Sequence, residues 1–375
     1  MNLNNNTQMQ TRDIIPKLSA GGFSLIELMI AMTVGLVIVA AVVQIFVRSH
    51  ATYQLDEGLS RVQENARFSM DYLAKDIRMA GYMGCNSKLF GTSAVSNIVK
   101  PPNQSTIFSS GGIRGYRYTC TTACSGGLAE WDPALPGDFF LAGEVRTGSD
   151  VIIINRGSEL GTTLTGNTVP SNANVQIVNT AEIAGQIAAD DILLLSDCKG
   201  ADIFKATNTS SGSGIVTVAH AAADNTSPML SKPYGNDARL MKLVSRAYYI
   251  SSKPSISGTP NEPGLFLKEL GSGGLLSGQE LVGGVESMKI LYGEDTAATG
   301  SAAKYVVPAS VADWTKVVSM RLGIIVRTPG AVDAALDTKT YDLLDDTVSA
   351  LDNFGPADDT RRRRVFNTTI RVRNH

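Results

Sequence analysis

The 375-residue sequence predicts an α+β protein: one long N-terminal α-helix, membrane-spanning in its first half and amphipathic in its second, packed on a large, mainly β globular head. Three observations carry that prediction. Residues 23–47 form an apolar run whose only ionisable side chain is Glu27. The apolar pattern then continues towards Met79 at three- and four-residue steps instead of stopping. From Cys85 onward the texture changes to short β-branched or apolar segments separated by Gly, Ser, Asn, Pro and Thr.

The first element is the apolar run. At roughly 1.5 Å per residue its helix would be about 37 Å long, more than the hydrocarbon core of about 30 Å requires. A carboxylate in such a segment costs about 2.5–3.5 kcal/mol at the bilayer centre, so Glu27 needs a physical reason. Glu27 stands four residues after Phe23. A cut after Gly22 would create an α-amine one helical turn from this carboxylate, where the helix dipole also favours negative charge. Arg12 and Lys17 precede the run, while Asp56 and Glu57 follow it with Arg48, so the basic bias places the N-terminus in the cytoplasm and the bulk of the chain outside.

The second half of the helix follows from its periodicity. Leu55, Leu59, Val62, Ala66, Met70, Leu73 and Ile77 form one stripe, and Asp56, Arg61, Glu64, Arg67, Asp71, Lys75 and Arg78 occupy the other faces. One helix over residues 23–80 is expected, with Gly81 and Gly84 as terminators. Gly58 is its weak point, costing about 1 kcal/mol relative to alanine. The exposed half would be unstable alone, so its stripe should pack on the head.

The head, residues 81–375, reads as strands at 150–155, 173–178, 191–196, 214–218, 240–244, 246–250, 264–268, 285–292, 317–326 and 364–372. Residues 100–146 are too irregular to assign. The stretch 207–214 is small and polar, and reads as a mobile loop. An insert at 331–360 carries eight aspartates against Lys339 alone and is followed directly by four arginines, 361–364. It reads as a solvated excursion; the functional alternative is that it binds a divalent cation or the basic run of a neighbouring subunit. Its spacing does not match an EF-hand.

Composition narrows the chemistry. A net charge of −2 gives no sign of nucleic-acid binding, whose proteins carry clustered basic faces. The four cysteines, Cys85, Cys120, Cys124 and Cys198, fall in the exported part, where an oxidising compartment favours disulfides. Three pairings are possible and sequence alone does not choose between them; Cys85 with Cys198 and Cys120 with Cys124 is the one favoured here. A four-cysteine zinc site is the competing reading, but the tandem paired spacing is missing. With only His50, His220 and His375 present, a histidine metal cluster is not expected, and a Ser-His-Asp arrangement could only be built around His220. No G-x-S-x-G or Walker-type loop occurs, so neither an enzyme nor a cofactor site is expected. Trp314, after 308–313, should end a short helix packed on the sheet; Trp131 or Trp314 could alternatively anchor a partner.

The residues Gly22, Phe23, Ser24, Leu25, Ile26, Glu27, Leu28 and Met29 resemble the type IV prepilin signature. The resemblance implies a leader, 1–22, removed by a prepilin peptidase that cuts between Gly22 and Phe23 and methylates the new amine, with Glu27 paired in the filament to the Phe23 amine of a neighbour. Residues 76–85, 196–204, 284–293 and 365–374 resemble blocks of PilW-type minor pilins. That resemblance implies a subunit that helps initiate type IV pilus assembly and sits in its tip or priming complex, supporting motility, adhesion or DNA uptake. Its partners would be other minor pilins, the major pilin and the inner-membrane assembly platform. It would be a single-pass inner-membrane protein with a periplasmic head before assembly, and part of the pilus afterwards. A type II secretion pseudopilin of the GspJ kind, an anchored enzyme and a calcium-binding surface adhesin are the alternatives. Many major pilins carry a proline midway through the membrane helix; this run has Gly35 and none.

Overall fold

The computed structural model describes residues 22, 24–85, 94–100, 111–183, 185–252, 262–271, 276–332, 335–344 and 353–373. The chain divides into two compact units, Met1–Gln54 and Leu55–His375. Helix α1 (Leu25–Met79) supplies the described part of the first unit and the opening element of the second. Ala80 and Gly81 end it: Gly81 takes a φ of +73°, the left-handed conformation that glycine adopts without penalty, and the Tyr82 N–H turns back to the Met79 carbonyl at 3.0 Å.

Within the second unit, α1 buries Gly58, Val62, Ala66, Ser69, Leu73, Asp76 and Ile77. Gly58 is a close-approach residue as well as a helix weak point. A Cβ there would lie 3.1 Å from the Thr328 methyl, so the missing side chain lets the helix settle against residues 328–332.

The largest sheet runs, in order, Val95–Asn97, Ala201–Lys205, Ile192–Ser196, Arg239–Ser251, Val151–Thr163, Ile113–Tyr118 and Trp131–Asp132. Gly264–Leu270 joins the second half of Arg239–Ser251, and Leu276–Gly283 pairs with it in turn. A second, antiparallel sheet runs Lys304–Val306, Val285–Glu294, Val317–Arg327, Arg363–Arg371. Both sheets supply one core with the helix stripe: Val62, Ala66, Leu73 and Ile77 meet Ile152, Tyr248, Met288, Ile290, Leu322 and Ile370, among others. A second cluster, with Tyr116, Trp131, Phe139, Phe140 and Tyr249, gathers further residues of the large sheet. A third, with Val175, Ile177, Phe204 and Val218, joins it to a three-stranded sheet.

Two expectations are corrected here. The separate strands expected at 240–244 and 246–250 are one strand, Arg239–Ser251, whose register against Val151–Thr163 shifts between Met241 and Leu243. That irregularity breaks the alternation a sequence reading relies on. The stretch read as a mobile loop, 207–214, contains the strand Asn208–Gly212, paired with Ile215–Ala219. Ser213 and Gly214 both take positive φ, 49° and 75°, as a tight hairpin of the I′ kind requires. The strand is polar because almost all of it faces solvent.

Candidate functional site

The N-terminal motif begins a helix. The Ser24 carbonyl accepts from the N–H groups of Glu27 (3.0 Å) and Leu28 (3.1 Å), so Ser24 stands at the N-cap and Glu27 lies in the first turn, where unpaired N–H groups favour a negative charge. Gly22 is exposed, with nothing within 4 Å of where a Cβ would stand. Phe23 lies outside the described residues. Around Glu27 the apolar side chains are open: Leu25 is 76 % exposed and Met29 58 %. From Ser24 to Gln54 every residue is exposed except Gly35, which is half-buried. The helix is long and apolar enough to cross a membrane, and an apolar surface of this extent requires lipid or other helices around it.

The second unit holds its part of α1 by a buried charge. Asp76 accepts from the Tyr248 hydroxyl at 2.6 Å, from Arg246 at 3.0 and 3.2 Å and from Arg156 at 3.2 Å. Burial alone would raise its pKa, but Tyr248, Arg246 and Arg156 outweigh it, and the carboxyl titrates below its ordinary value. Arg246 also reaches Glu269 at 3.2 Å. Within this unit the helix is thus fixed to the large sheet in one register, since a shift of α1 would take Asp76 from Arg156 and leave Arg246 with Glu269 alone.

Just past the helix, Cys85 is bonded to Cys198, 113 residues away, and Cys120 is bonded to Cys124. The first bond ties the helix exit to the turn between Ile192–Ser196 and Ala201–Lys205, where Asp197 accepts from the backbone of Lys199 and Gly200 and from Lys232. The second closes a small surface ring. Beside it the Glu130 carboxylate accepts from Ser125 and Gly127 N–H groups at 2.6 and 3.2 Å.

The acidic insert is engaged by its own chain. Arg363, buried, donates to Glu286 at 2.5 Å, to Asp359 at 2.6 Å and to Asp337 at 3.2 Å. The Arg363 hydrogen bond holds Asp359 down to a pKa of about 2, against the opposing effect of burial. Arg361 pairs with Glu262 at 3.0 Å, and Arg327 bridges Glu262 and Glu286. The basic run is therefore partly internal: Arg361 and Arg363 neutralise acids of the same head. Asp333, Asp345, Asp346 and Asp352 lie outside the described residues.

Of the other candidates, His220, Trp131 and Trp314 are packing residues. His220 is fully buried against Phe204, with ring centroids 4.8 Å apart, and neither ring nitrogen has a hydrogen-bond partner among the described residues. Burial lowers its pKa, which keeps the ring neutral. Trp131 is buried and donates to the Ser149 carbonyl at 2.9 Å. Trp314 begins a short 3-10 turn, Trp314–Lys316, and meets Tyr292 edge-on at 4.9 Å. Asp190 pairs with Lys205 and Asp191 with Lys242.

Sequence reasoning missed the Asp76 anchor. Its signal was available: Asp76 falls on the apolar stripe beside Leu73 and Ile77, where an acid is out of place unless it is paired. The Arg363 cluster left less sign, because Glu286 and Asp337 come from distant segments and only Asp359, four residues away, is local.

Two family models match the chain. Residues 18–43 match the prokaryotic N-terminal methylation motif, and residues 247–374 match the family described as type IV pilus-assembly protein W. No curated protein matches the chain in sequence. Among solved structures, a type IV-like pilin from Thermus thermophilus aligns over 84 % of this chain and 97 % of its own, at 13 % identity and a TM-score of 0.33.

Proposed function

We propose that this chain, a type IV pilin-like protein of the PilW type, is a minor pilin that is cleaved after Gly22, methylated at Phe23 and packed by α1 into a pilus, where it helps to initiate assembly and sits in the tip or priming complex. The observation that carries this reading is Glu27 in the first turn of an uncovered apolar helix. An ionised carboxylate among packed apolar helices is costly, and an opposite charge beside it offsets the cost. Peptidase action at Gly22 supplies such a charge as a new amine, and a neighbour's amine against Glu27 would fix the axial register between subunits. Small residues such as Gly35, Ala40 and Ala41 let helices approach closely.

Before assembly the protein is a single-pass inner-membrane precursor with its head in the periplasm, which suits the disulfides Cys85–Cys198 and Cys120–Cys124. Prepilin peptidase, the other minor pilins, the major pilin and the assembly platform are its partners in this reading. The test is N-terminal sequencing with mass measurement of protein purified from cells. A methylated Phe23 at the start is the expected result; a chain that keeps Met1 or begins elsewhere removes the proposal.

A further inference from the structure

One face of the four-stranded sheet carries a built cationic platform that nothing above uses. Gly293 has no side chain, and a Cβ there would lie 2.9 Å from the ring of Tyr305 and 2.5 Å from the Ser319 hydroxyl. The missing atom lets Tyr305 lie across the strand, where its hydroxyl meets Ser319 at 3.0 Å. The Arg321 guanidinium then stacks on Tyr305, 4.2 Å from the ring centroid. In the sheet register Ser319 stands opposite Arg371, and Arg321 opposite Thr369. The two arginines are therefore diagonal neighbours on one face, with Cβ atoms about 7–8 Å apart. Arg321, Thr369 and Arg371 are exposed. Arg371 donates to the Gly300 carbonyl at 3.2 Å, and neither guanidinium has an ion pair among the described residues. The nearby Asp295 spends its carboxylate on the N–H groups of Thr299 and Gly300.

We propose that the Arg321–Tyr305–Arg371 face is a docking surface for a carboxylate-bearing segment on the head of a neighbouring pilin subunit. Charge complementarity selects the chemistry, because two guanidinium forks with no ion pair among the described residues recognise carboxylates in bidentate geometry. Shape selects the class of partner. Small anions and sugars are held in concave sites, whereas this face is a sheet surface; two open clefts of the head, of about 550 and 590 Å³, are lined by other residues. A nucleic acid would need a longer basic track than two arginines on a chain of net charge −2. Arginine and tyrosine on a flat surface are the side chains that dominate protein–protein contacts.

This inference rests on the pilin reading, and the experiment separates the two. In cells whose filaments contain the mature protein, a photo-crosslinking amino acid is placed at position 369 of the full chain, and adducts are identified by mass spectrometry. The expected adduct is another pilin, crosslinked within a head segment containing Asp or Glu, with a yield about tenfold lower in Arg321→Glu/Arg371→Glu, as expected for loss of a complementary charge pair. Raising the salt before irradiation should lower the yield of the unmodified face as well, which keeps the test open if the double variant fails to fold. No adduct, an adduct indifferent to both charge and salt, or an adduct to polysaccharide or nucleic acid overturns the docking surface. Absence of the protein from filaments overturns the pilin reading instead.

Discussion

Tyr248 donates a 2.6 Å hydrogen bond to Asp76, joining the last turns of α1 to the middle of the large sheet across 172 residues of chain. With Arg156 and Arg246 on the same carboxylate, Asp76→Asn takes from Arg156 its anion among the described residues and leaves Arg246 with Glu269 alone. The full chain in detergent should lose about 3 kcal/mol in urea unfolding. Tyr248→Phe should lose less, about 1.5–3 kcal/mol, since it removes one hydrogen bond to a charged group. The carboxyl's pKa is lower folded than unfolded, so its contribution is present above the ordinary value of 3.8 and disappears as pH falls through the folded value. A variant of equal stability to the parent would show that packing alone holds the helix.

The two disulfides should differ in weight. Cys85–Cys198 closes a loop of 113 residues and Cys120–Cys124 one of four. By chain entropy the first restrains the unfolded state by about 5 kcal/mol and the second by about 2 kcal/mol. Paired Cys→Ser variants, melted side by side, should therefore rank Cys85→Ser/Cys198→Ser as clearly the less stable. The reverse ranking would indicate that the small ring does more than close a turn.

His220 predicts a mild acid sensitivity. Its ring is buried, lacks hydrogen-bond partners among the described residues and faces Asp202 as the nearby charge. Because burial lowers the folded pKa, stability is in place above the unfolded value of 6.5 and declines as pH falls through it towards the folded value. His220→Phe, stacked on Phe204 in the same space, should flatten the fall in melting temperature between about pH 7.5 and about pH 5. An unchanged pH profile would assign the acid sensitivity to other groups.

What the sequence made legible follows from how each element is stabilised. Helix α1 and strands such as Val285–Glu294 and Val317–Arg327 announce themselves because burial imposes a period or an unbroken apolar run on them. Asn208–Gly212 escapes that logic, since its backbone pairs with Ile215–Ala219 while its side chains face water. Ile113–Tyr118 hides for a different reason: Arg114, Gly115 and Arg117 interrupt its apolar pattern, yet Gly115 is needed, because a Cβ there would lie 2.1 Å from the Tyr292 hydroxyl. The processing motif is local in sequence and was readable as a unit. The arginine platform is not local, because residues 293, 305, 321 and 371 meet only through sheet register.

In the proposed reading Gly22 serves processing and Glu27 serves assembly, so their variants should fail at different steps. Gly22 is exposed before the helix, and among the described residues nothing lies within 4 Å of where a Cβ would stand, so Gly22→Ala should leave the fold intact and, in the proposed reading, act through the peptidase. A full-length precursor should accumulate in the membrane, visible as a larger mass. Glu27→Ala removes the one ionisable group of the apolar run and eases insertion, by less than the roughly 2.5–3.5 kcal/mol of a charge at the bilayer centre because Glu27 is in the first turn, so the variant should insert and be cleaved normally. It should nevertheless enter filaments poorly, because the neighbour's new amine would then be buried without its counter-charge. Immunoblots of sheared filaments against membrane fractions measure the difference. If Glu27→Ala entered filaments at the parental level, apolar packing would suffice for assembly and the carboxylate would have no part in setting the register.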